Sequence, residues 1–134
     1  MNSNELKLSV DSFLLSETDE KGIIRYANDE FCEFAEYTLE ELIGKPHNIV
    51  RHPDMPKAAF KDLWETVKKG NIWTGYVKNA TKDGDYYWVF ATVYPTITSE
   101  GTKGYLSCRR KASVEEIKTH ENLYKQLRMS EKAA

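Results

Sequence analysis

Alternating apolar and polar residues predict strands at both ends of this chain, with helices between them. Residues 12–18 and 22–26 form two such runs around the turn Asp19–Gly22, and they predict a β-hairpin. Three later runs, separated by turn sequences, predict an antiparallel meander over 73–82, 85–97 and 102–111. Five strands are therefore expected.

Helix signals fill the interval between the hairpin and the meander. Asn28 or Asp29 is suited to cap a short helix, and a capping box at Thr38–Glu41 opens a second helix that ends at Gly44. A longer helix is predicted over 57–70, because its apolar residues recur at helical spacing, namely Phe60, Leu63, Trp64 and Val67.

After the meander, Ser113 begins another capping box and predicts a C-terminal helix. Its apolar face is expected to carry Val114, Ile117, Tyr124 and Leu127. The order of elements predicts an α+β fold: a five-stranded antiparallel sheet with short helices and one longer helix on one face, plus a C-terminal helix.

Strand alternation predicts two unlike faces for this sheet. Trp73, Gly75, Val77 and Asn79 share one face, where Gly75 and Ala91 leave room for a flat ligand between sheet and helices. The opposite face is aromatic, with Tyr86, Trp88, Phe90 and Tyr94. Either the terminal helix or N-terminal segment covers it, or it binds a signalling partner or a second copy of the chain.

Composition narrows the classes of partner. The 134 residues carry 19 basic and 21 acidic side chains without a basic tract, which argues against nucleic acid and anionic membrane surfaces. The apolar runs are shorter than a membrane span, and the N-terminus lacks a signal-peptide pattern. Cys32 and Cys108 are expected to be buried free thiols in a reducing cytoplasm.

The segment 44–56 concentrates the candidate chemistry. It holds three prolines, two histidines, an arginine and an aspartate, so short turns bordering a pocket are expected, with Lys45, His52 and Met55 outside regular helix. A buried Asn79 amide needs partners for both its donor and its acceptor, and either the neighbouring turn at Asp83–Gly84 or a heterocycle with donor and acceptor edges would supply them.

These residues resemble the PAS family of sensor domains and, within it, the flavin-binding PAS domains of bacterial aerotaxis receptors. The resemblance runs from about Thr18 to Leu127 and is most specific over Arg51–Phe60. Further matching stretches are Tyr26–Asp29, Tyr37–Leu39, Pro46–Asn48, Lys68–Gly70, Val77–Asn79, Tyr87–Val89 and Leu123–Lys125. It implies a lead-in at 1–11, a PAS sensor domain at 12–112 and a C-terminal helix or linker at 113–134.

The resemblance also implies a non-enzymatic redox or oxygen sensor with non-covalently bound FAD. Trp73 would stack on the adenine end, while Arg51, His52 and Asp54 would hold the cofactor entrance. Asn28 and Asn79 would form hydrogen bonds within the pocket, and Phe60 completes the cofactor-binding set. No metal site is implied. A chemotaxis signalling module or receptor would be the partner, and the domain would be cytoplasmic, excised from a membrane-associated receptor or acting alone.

Several alternatives remain open from the residues. Haem is the main rival to flavin, since His47 or His52 offers an axial nitrogen. A ligand-free dimerisation module is another, and FMN in place of FAD is a third. A light-driven cysteinyl adduct is not expected, because the segment 48–52 holds no cysteine. An enzyme using His52 and Asp54 as a base pair lacks any accompanying nucleophile or phosphate motif.

Overall fold

The computed structural model describes residues 3–97 and 100–133. Five strands, four α-helices and one 3₁₀ helix at His47–Val50 make up the domain. The strands are β1 (Leu14–Asp19), β2 (Ile24–Ala27), β3 (Trp73–Ala80), β4 (Tyr86–Ile97) and β5 (Lys103–Lys111). The helices are α1 (Asp29–Ala35), α2 (Leu39–Leu42), α3 (Lys57–Lys68) and α4 (Val114–Ala133). Within the described ranges, no helix is long and apolar enough to cross a membrane.

The strands form one antiparallel sheet in the order β2-β1-β5-β4-β3. This confirms the predicted hairpin, the meander and the α+β class. The sheet is continuous because β5, last in sequence, pairs with both β1 and β4 and thereby joins the hairpin to the meander. The two unlike faces of β3 and β4 are therefore fixed by one register, in which Asn79 stands opposite Tyr87.

The helix ends follow the predicted capping chemistry. The Asn28 side chain accepts a hydrogen bond from the Phe31 amide and caps α1, and Thr38 forms a complete capping box at α2. Gly44 and Gly70 adopt φ of +85° and +87° just beyond α2 and α3, a conformation that glycine adopts without steric cost. Lys45, His52 and Met55 lie outside helices, as the prolines require, although the segment also contains the 3₁₀ helix.

The terminal helix α4 packs on the aromatic outer face of the sheet. Tyr124 is buried, stacks on Trp88 with ring centroids 6.1 Å apart, and donates its hydroxyl to the Tyr76 carbonyl at 2.6 Å. Of the alternatives left open for this face, cover by the terminal helix is the one observed at Tyr76 and Trp88. Val114 is the exception within the predicted helix face, since it is 59% exposed.

The N-terminal segment is attached to the same part of the sheet. The Leu6 amide donates to the Tyr86 carbonyl and the Tyr86 amide donates to the Asn4 carbonyl, which makes a short parallel bridge at the start of β4. Leu8 is buried in the core. A partner at the outer face would consequently meet the part of the sheet beyond α4, where Tyr94 is exposed.

Candidate functional site

A cavity lies between the inner face of the sheet and the 3₁₀ helix and α3. Its volume is about 100 Å³, which is smaller than the roughly 300–1,000 Å³ of most small-molecule sites. Its walls come from the 3₁₀ helix and Arg51, from α3, and from four strands. The lining residues are Thr18, Gly22, His47, Asn48, Val50, Arg51, Phe60, Leu63, Trp64, Trp73, Val77, Asn79, Ala91, Val93, Tyr105, Ser107 and Arg109.

The inner face of the sheet has the composition that strand alternation predicted. Trp73, Val77 and Asn79 of β3 and Ala91 of β4 all reach the cavity. The room above Gly75, however, is taken by the indole of Trp73, because a Cβ on Gly75 would lie 2.4 Å from its Cη2. Ala91 thus contributes open space to the cavity wall, whereas the space at Gly75 already holds an aromatic ring.

A buried arginine is the main electrostatic feature of the cavity. Arg109 is 5% exposed, and its guanidinium contacts Ser16 Oγ at 3.0 Å and His47 Nε2 at 2.8 Å. It also lies 5.1 Å from the centroid of the Phe31 ring. Among residues 3–97 and 100–133, no carboxylate forms an ion pair with it. A buried cation without a counter-charge is unfavourable on its own and attracts an anionic ligand.

The histidine beside Arg109 acts as a neutral acceptor. Burial lowers the pKa of His47 to about 3, and the positive charge of Arg109 contributes to the shift. His47 Nε2 also lies 3.0 Å from Ser16 Oγ. Burial lowers the pKa of Arg109 only to about 10, so that the guanidinium stays charged at neutral pH. We call Ser16, His47 and Arg109 the polar cluster.

Two buried polar groups near this cluster lack hydrogen-bond partners. Asn79 is 3% exposed and lines the cavity, and its Nδ2 has no partner among the described residues. The hydroxyl of Tyr87, across the β3–β4 pair, is likewise unpaired. Burial raises the pKa of Tyr87 to about 12, while Arg109 and the nearby Asn79 amide oppose this shift, although the geometry falls short of a hydrogen bond. Unpaired buried donors are rare in native proteins and call for a ligand or ordered water.

A second arginine lies toward the mouth of the cavity. The Arg51 guanidinium carbon is 3.7 Å from the centroid of the Phe60 ring, which holds the guanidinium flat against α3. Arg51 is exposed, and its backbone forms a bridge with Asn79 on the edge strand β3. Because the described lining contains two arginines and no carboxylate, the cavity is suited to an anionic aromatic ligand.

Four of the seven residues predicted for the cofactor site line this cavity together: Arg51, Phe60, Trp73 and Asn79. Asn28 does not reach it. Its amide caps α1, accepts from the Leu15 amide at 3.1 Å and donates to the Phe13 carbonyl at 2.9 Å, so the side chain is committed to joining α1 to β1. The structure thus assigns Asn28 a structural hydrogen-bond role in place of the predicted pocket contact.

His52 and Asp54, in the segment 44–56, are also not among the described residues that line the cavity. Asp54 forms an ion pair with Lys78 at 2.8 Å, and the hydrogen bond from Lys78 is the main cause that lowers the pKa of Asp54. His52 Nδ1 accepts from the Asp54 amide at 2.9 Å, and burial lowers the pKa of His52. These contacts shape the turn that positions Arg51, without reaching the cavity.

Sequence reasoning missed Arg109, Ser16 and Ser107 as members of the site. The signal that could have found them is the alternation of β5, which places Tyr105, Ser107 and Arg109 on one face. Arg109 stands in a basic run, 109–111, that reads as a solvated strand end. Arg109 lies in the interior because β5 pairs with both β1 and β4, which no local pattern shows.

The chain matches the family model described as PAS fold over residues 24–109. It is 52% identical over 120 residues to the aerotaxis receptor of Escherichia coli K12, and 29% identical over 104 residues to the nitrogen fixation regulatory protein of Klebsiella pneumoniae. These matches cover 90% and 77% of this chain but only 24% and 21% of the two relatives. The chain therefore corresponds to about a quarter of the aerotaxis receptor's length.

Solved structures agree on the fold. A PAS domain from Colwellia psychrerythraea matches with a TM-score of 0.66 at 24% identity, covering 75% of this chain and 86% of that one. A light-oxygen-voltage domain studied with a flavin analogue matches with a TM-score of 0.69 at 23% identity, covering 81% of this chain and 87% of that one. The solved structures thus agree on the fold, and the family match over residues 24–109 together with the 52% identity over 120 residues shows that the chain belongs to the PAS family of sensor domains.

Proposed function

We propose that this PAS domain binds FAD non-covalently in the cavity and acts as a redox sensor in an aerotaxis-type signalling pathway. The observation that carries the proposal is that two buried groups of one cavity lack partners. The charge of Arg109 has no carboxylate beside it, and Asn79 Nδ2 has no hydrogen-bond acceptor. A flavin ring presents acceptor edges and becomes more electron-rich on reduction, so it supplies a partner to both groups.

The residues present suggest how the cofactor is held. Arg109 and Asn79 supply donors to the polar edge of the ring, and the apolar lining residues Val77, Ala91 and Val93 pack against its body. Arg51, at the mouth, supplies a planar cationic fork for the pyrophosphate. The 52% identity to an aerotaxis receptor supports the choice of pathway. When bound, the flavin supplies reversible electron uptake.

Redox sensing requires that the protein respond differently to the two states of the cofactor. The Asn79 side chain can present either its N–H or its carbonyl, so protonation of the ring edge favours turning the amide. Asn79 lies on β3, and β3 carries Tyr76 on its opposite face, where Tyr124 of α4 is hydrogen-bonded. A change at Asn79 therefore needs to cross only β3 to reach the contact with α4. A chemotaxis-type signalling partner would respond through that helix.

Absorption spectroscopy tests the cofactor assignment. The purified protein, after incubation with FAD and desalting, should show flavin bands near ~450 nm, whereas a Soret band near ~400 nm would indicate haem. Arg109→Met should reduce retained FAD at least tenfold, and Arg109→Lys, which keeps the charge without the fork, should retain an intermediate amount. Wild-type protein that stays colourless after incubation would overturn the proposal.

Haem is the weaker candidate at this site. His47 Nε2, the nitrogen within the polar cluster, is hydrogen-bonded to Ser16 and Arg109. The positive charge of the Arg109 guanidinium disfavours a further cation there. His52 lies outside the described lining, with Nδ1 bonded to the Asp54 amide. Either histidine would have to leave these partners to bind iron, whereas flavin binding adds partners to the polar cluster.

Hydrogen exchange tests the relay separately from binding. Reduction of the FAD-loaded protein should change amide protection in β3 and β4 and in the α4 segment that contacts them, because these elements share the Tyr76–Tyr124 contact. In Asn79→Leu, the amide protection of β3, β4 and α4 should be the same in the oxidised and the reduced protein. Equal protection of β3, β4 and α4 in oxidised and reduced wild-type protein would exclude this route while leaving FAD binding intact.

A further inference from the structure

The indole of Trp73 lies over Gly75 of its own strand and lines the cavity. Trp73 is 6% exposed and begins β3, and the outer atoms of its six-membered ring lie over Gly75. A Cβ built on Gly75 would be 2.4 Å from Cη2 and 2.5 Å from Cζ2 of the indole. No other residue at position 75 permits this placement, so Gly75 provides room specifically for the tryptophan ring.

One hydrogen bond joins this ring to the opposite wall of the cavity. Trp73 Nε1 donates to Asp62 Oδ2 at 2.8 Å, and Asp62 is an exposed residue on α3. Phe60 and Leu63, its neighbours on α3, line the cavity together with Trp73. The bond thus connects α3 to β3, the two walls between which a flat ligand would enter.

We infer that Trp73 is a retractable plug over Gly75 and that Asp62 is the latch that holds it there. This inference rests on the proposed function and identifies two residues that control access of FAD to the cavity. To admit the cofactor, the indole must leave Gly75, which breaks the Asp62 bond and exposes the flat wall of β3. FAD binds the open arrangement alone, so its apparent affinity falls with the fraction of molecules that are closed.

The chain offers a charge-matched pair of variants at the latch. Asp62→Ala removes both the negative charge and the acceptor, whereas Asp62→Asn removes the charge and keeps an oxygen acceptor for the indole N–H. Loss of the charge alone is expected to favour an anionic dinucleotide equally in both variants. A difference between Asp62→Ala and Asp62→Asn therefore reports the hydrogen bond.

Flavin association measures the latch directly. With FAD mixed into cofactor-free protein, quenching of flavin fluorescence should show Asp62→Ala associating about three to ten times faster than Asp62→Asn, since the closed population falls. The dissociation constant should decrease by a similar factor. Equal rates and equal affinities in the two variants would overturn the latch while leaving FAD binding itself established.

Fluorine NMR follows the plug without any cofactor. Protein labelled with 5-fluorotryptophan has three tryptophans, and the Trp73 resonance is identified by its loss in Trp73→Phe. In Asp62→Ala the Trp73 resonance should shift between H₂O and D₂O, because the released ring is exposed to solvent. In Asp62→Asn the resonance should remain as in the wild type. Gly75→Ala should displace it as well, because its methyl group would occupy the position of the ring.

The two measurements separate the failure of this inference from failure of the proposed function. If wild-type protein does not bind FAD, the proposed function fails, and the fluorine signal alone decides the latch. A Trp73 resonance that is unchanged in both Asp62→Ala and Gly75→Ala would overturn the plug, whatever the cofactor. Displacement in both variants, with the wild-type signal retained in Asp62→Asn, supports it.

Discussion

The two faces of β3 and β4 treat their polar groups differently. On the outer face, the Tyr124 hydroxyl of α4 donates to the Tyr76 carbonyl, and the Tyr124 ring stacks on Trp88. On the inner face, Nδ2 of Asn79 and the Tyr87 hydroxyl lack partners within the described chain. The outer face is thus satisfied by the protein's own helix, whereas the inner face is not.

This difference distinguishes a packing surface from a binding surface. Each buried polar group without a partner costs about 1–3 kcal/mol, so the inner face is maintained at the expense of stability. The aromatic outer face looks like a partner site in the sequence, yet Trp88 stacks on Tyr124 of α4 and Tyr76 contacts His120 of the same helix. Unmet hydrogen-bonding capacity, more than exposed aromatic surface, therefore supports the inner face as the proposed ligand site.

Removing Tyr124 is expected to have the largest effect on stability and little effect on the cavity. Tyr124→Ala deletes a buried ring stacked on Trp88 and the hydrogen bond to Tyr76, and should lower the free energy of unfolding by roughly 3–5 kcal/mol. Urea titration measures this loss. FAD retained per folded molecule should match the wild type.

Tyr124→Phe is the matched control, since it keeps the ring and loses only the hydroxyl that bonds to Tyr76. Its expected cost is about 1 kcal/mol. A Tyr124→Ala protein as stable as the wild type would mean that α4 does not dock on Trp88. Loss of FAD from the folded variant would mean that the contact of α4 with the sheet is needed for cofactor binding as well as for the proposed relay.

Periodicity alone could predict most of the fold. The five strands follow from alternation and turn residues, and Asn28 and Thr38 cap the helices where the capping rules place them. The inward positions of Trp73, Val77 and Asn79 follow from the same alternation, because residues two apart share a face. Local signals are sufficient wherever a side chain's environment is set by its own strand or helix.

The polar cluster could not be predicted, because it depends on contacts between distant segments. Ser16 and Arg109 meet across 93 positions of sequence and His47 joins them from the 3₁₀ helix, so no local pattern marks the three as neighbours. Similarly, Gly75 suggested open room, and only the rotamer of Trp73 shows the room to be filled. Asn28 is of a residue type that suits a binding site, but its side chain caps α1.

Acid should weaken the inner face through His47, an effect somewhat smaller than loss of Tyr124. Burial lowers the pKa of His47 to about 3, against about 6.5 in the unfolded chain. The unfolded state therefore binds the proton more readily between these values, and stability must fall as the pH drops below about 6.5. Between pH 6 and pH 4, His47 should account for roughly 2–3 kcal/mol of the loss.

His47→Gln separates this contribution from the carboxylates, which titrate in the same range. Its amide oxygen can still accept from Arg109, but it takes up no proton over this range. Urea titrations of flavin-free protein at several pH values should give a shallower decline of the unfolding free energy for His47→Gln than for the wild type. Identical slopes would show that His47 gains its proton readily in the folded protein.

The smallest expected effect concerns the contact between α4 and α3. Pro56 precedes α3 without a side-chain cap, and Glu131 of α4 instead accepts from the Lys57 and Ala58 amides at 3.1 and 2.9 Å. Two otherwise unpaired amides at a helix N-terminus are thus satisfied by a carboxylate from another helix. Glu131→Gln keeps one oxygen acceptor but loses the charge and the second acceptor, and should cost about 0.5–1 kcal/mol.

Glu121→Gln, an exposed glutamate on the same helix, provides the control for loss of charge on α4. Hydrogen exchange should show faster opening at the first turn of α3 in Glu131→Gln and unchanged exchange there in Glu121→Gln. Because Phe60 of that helix lines the cavity and lies under the Arg51 guanidinium, this contact also extends the outer helix's influence to the inner site. Equal exchange in the two variants would leave the Tyr76–Tyr124 contact as the stronger candidate for coupling between the faces.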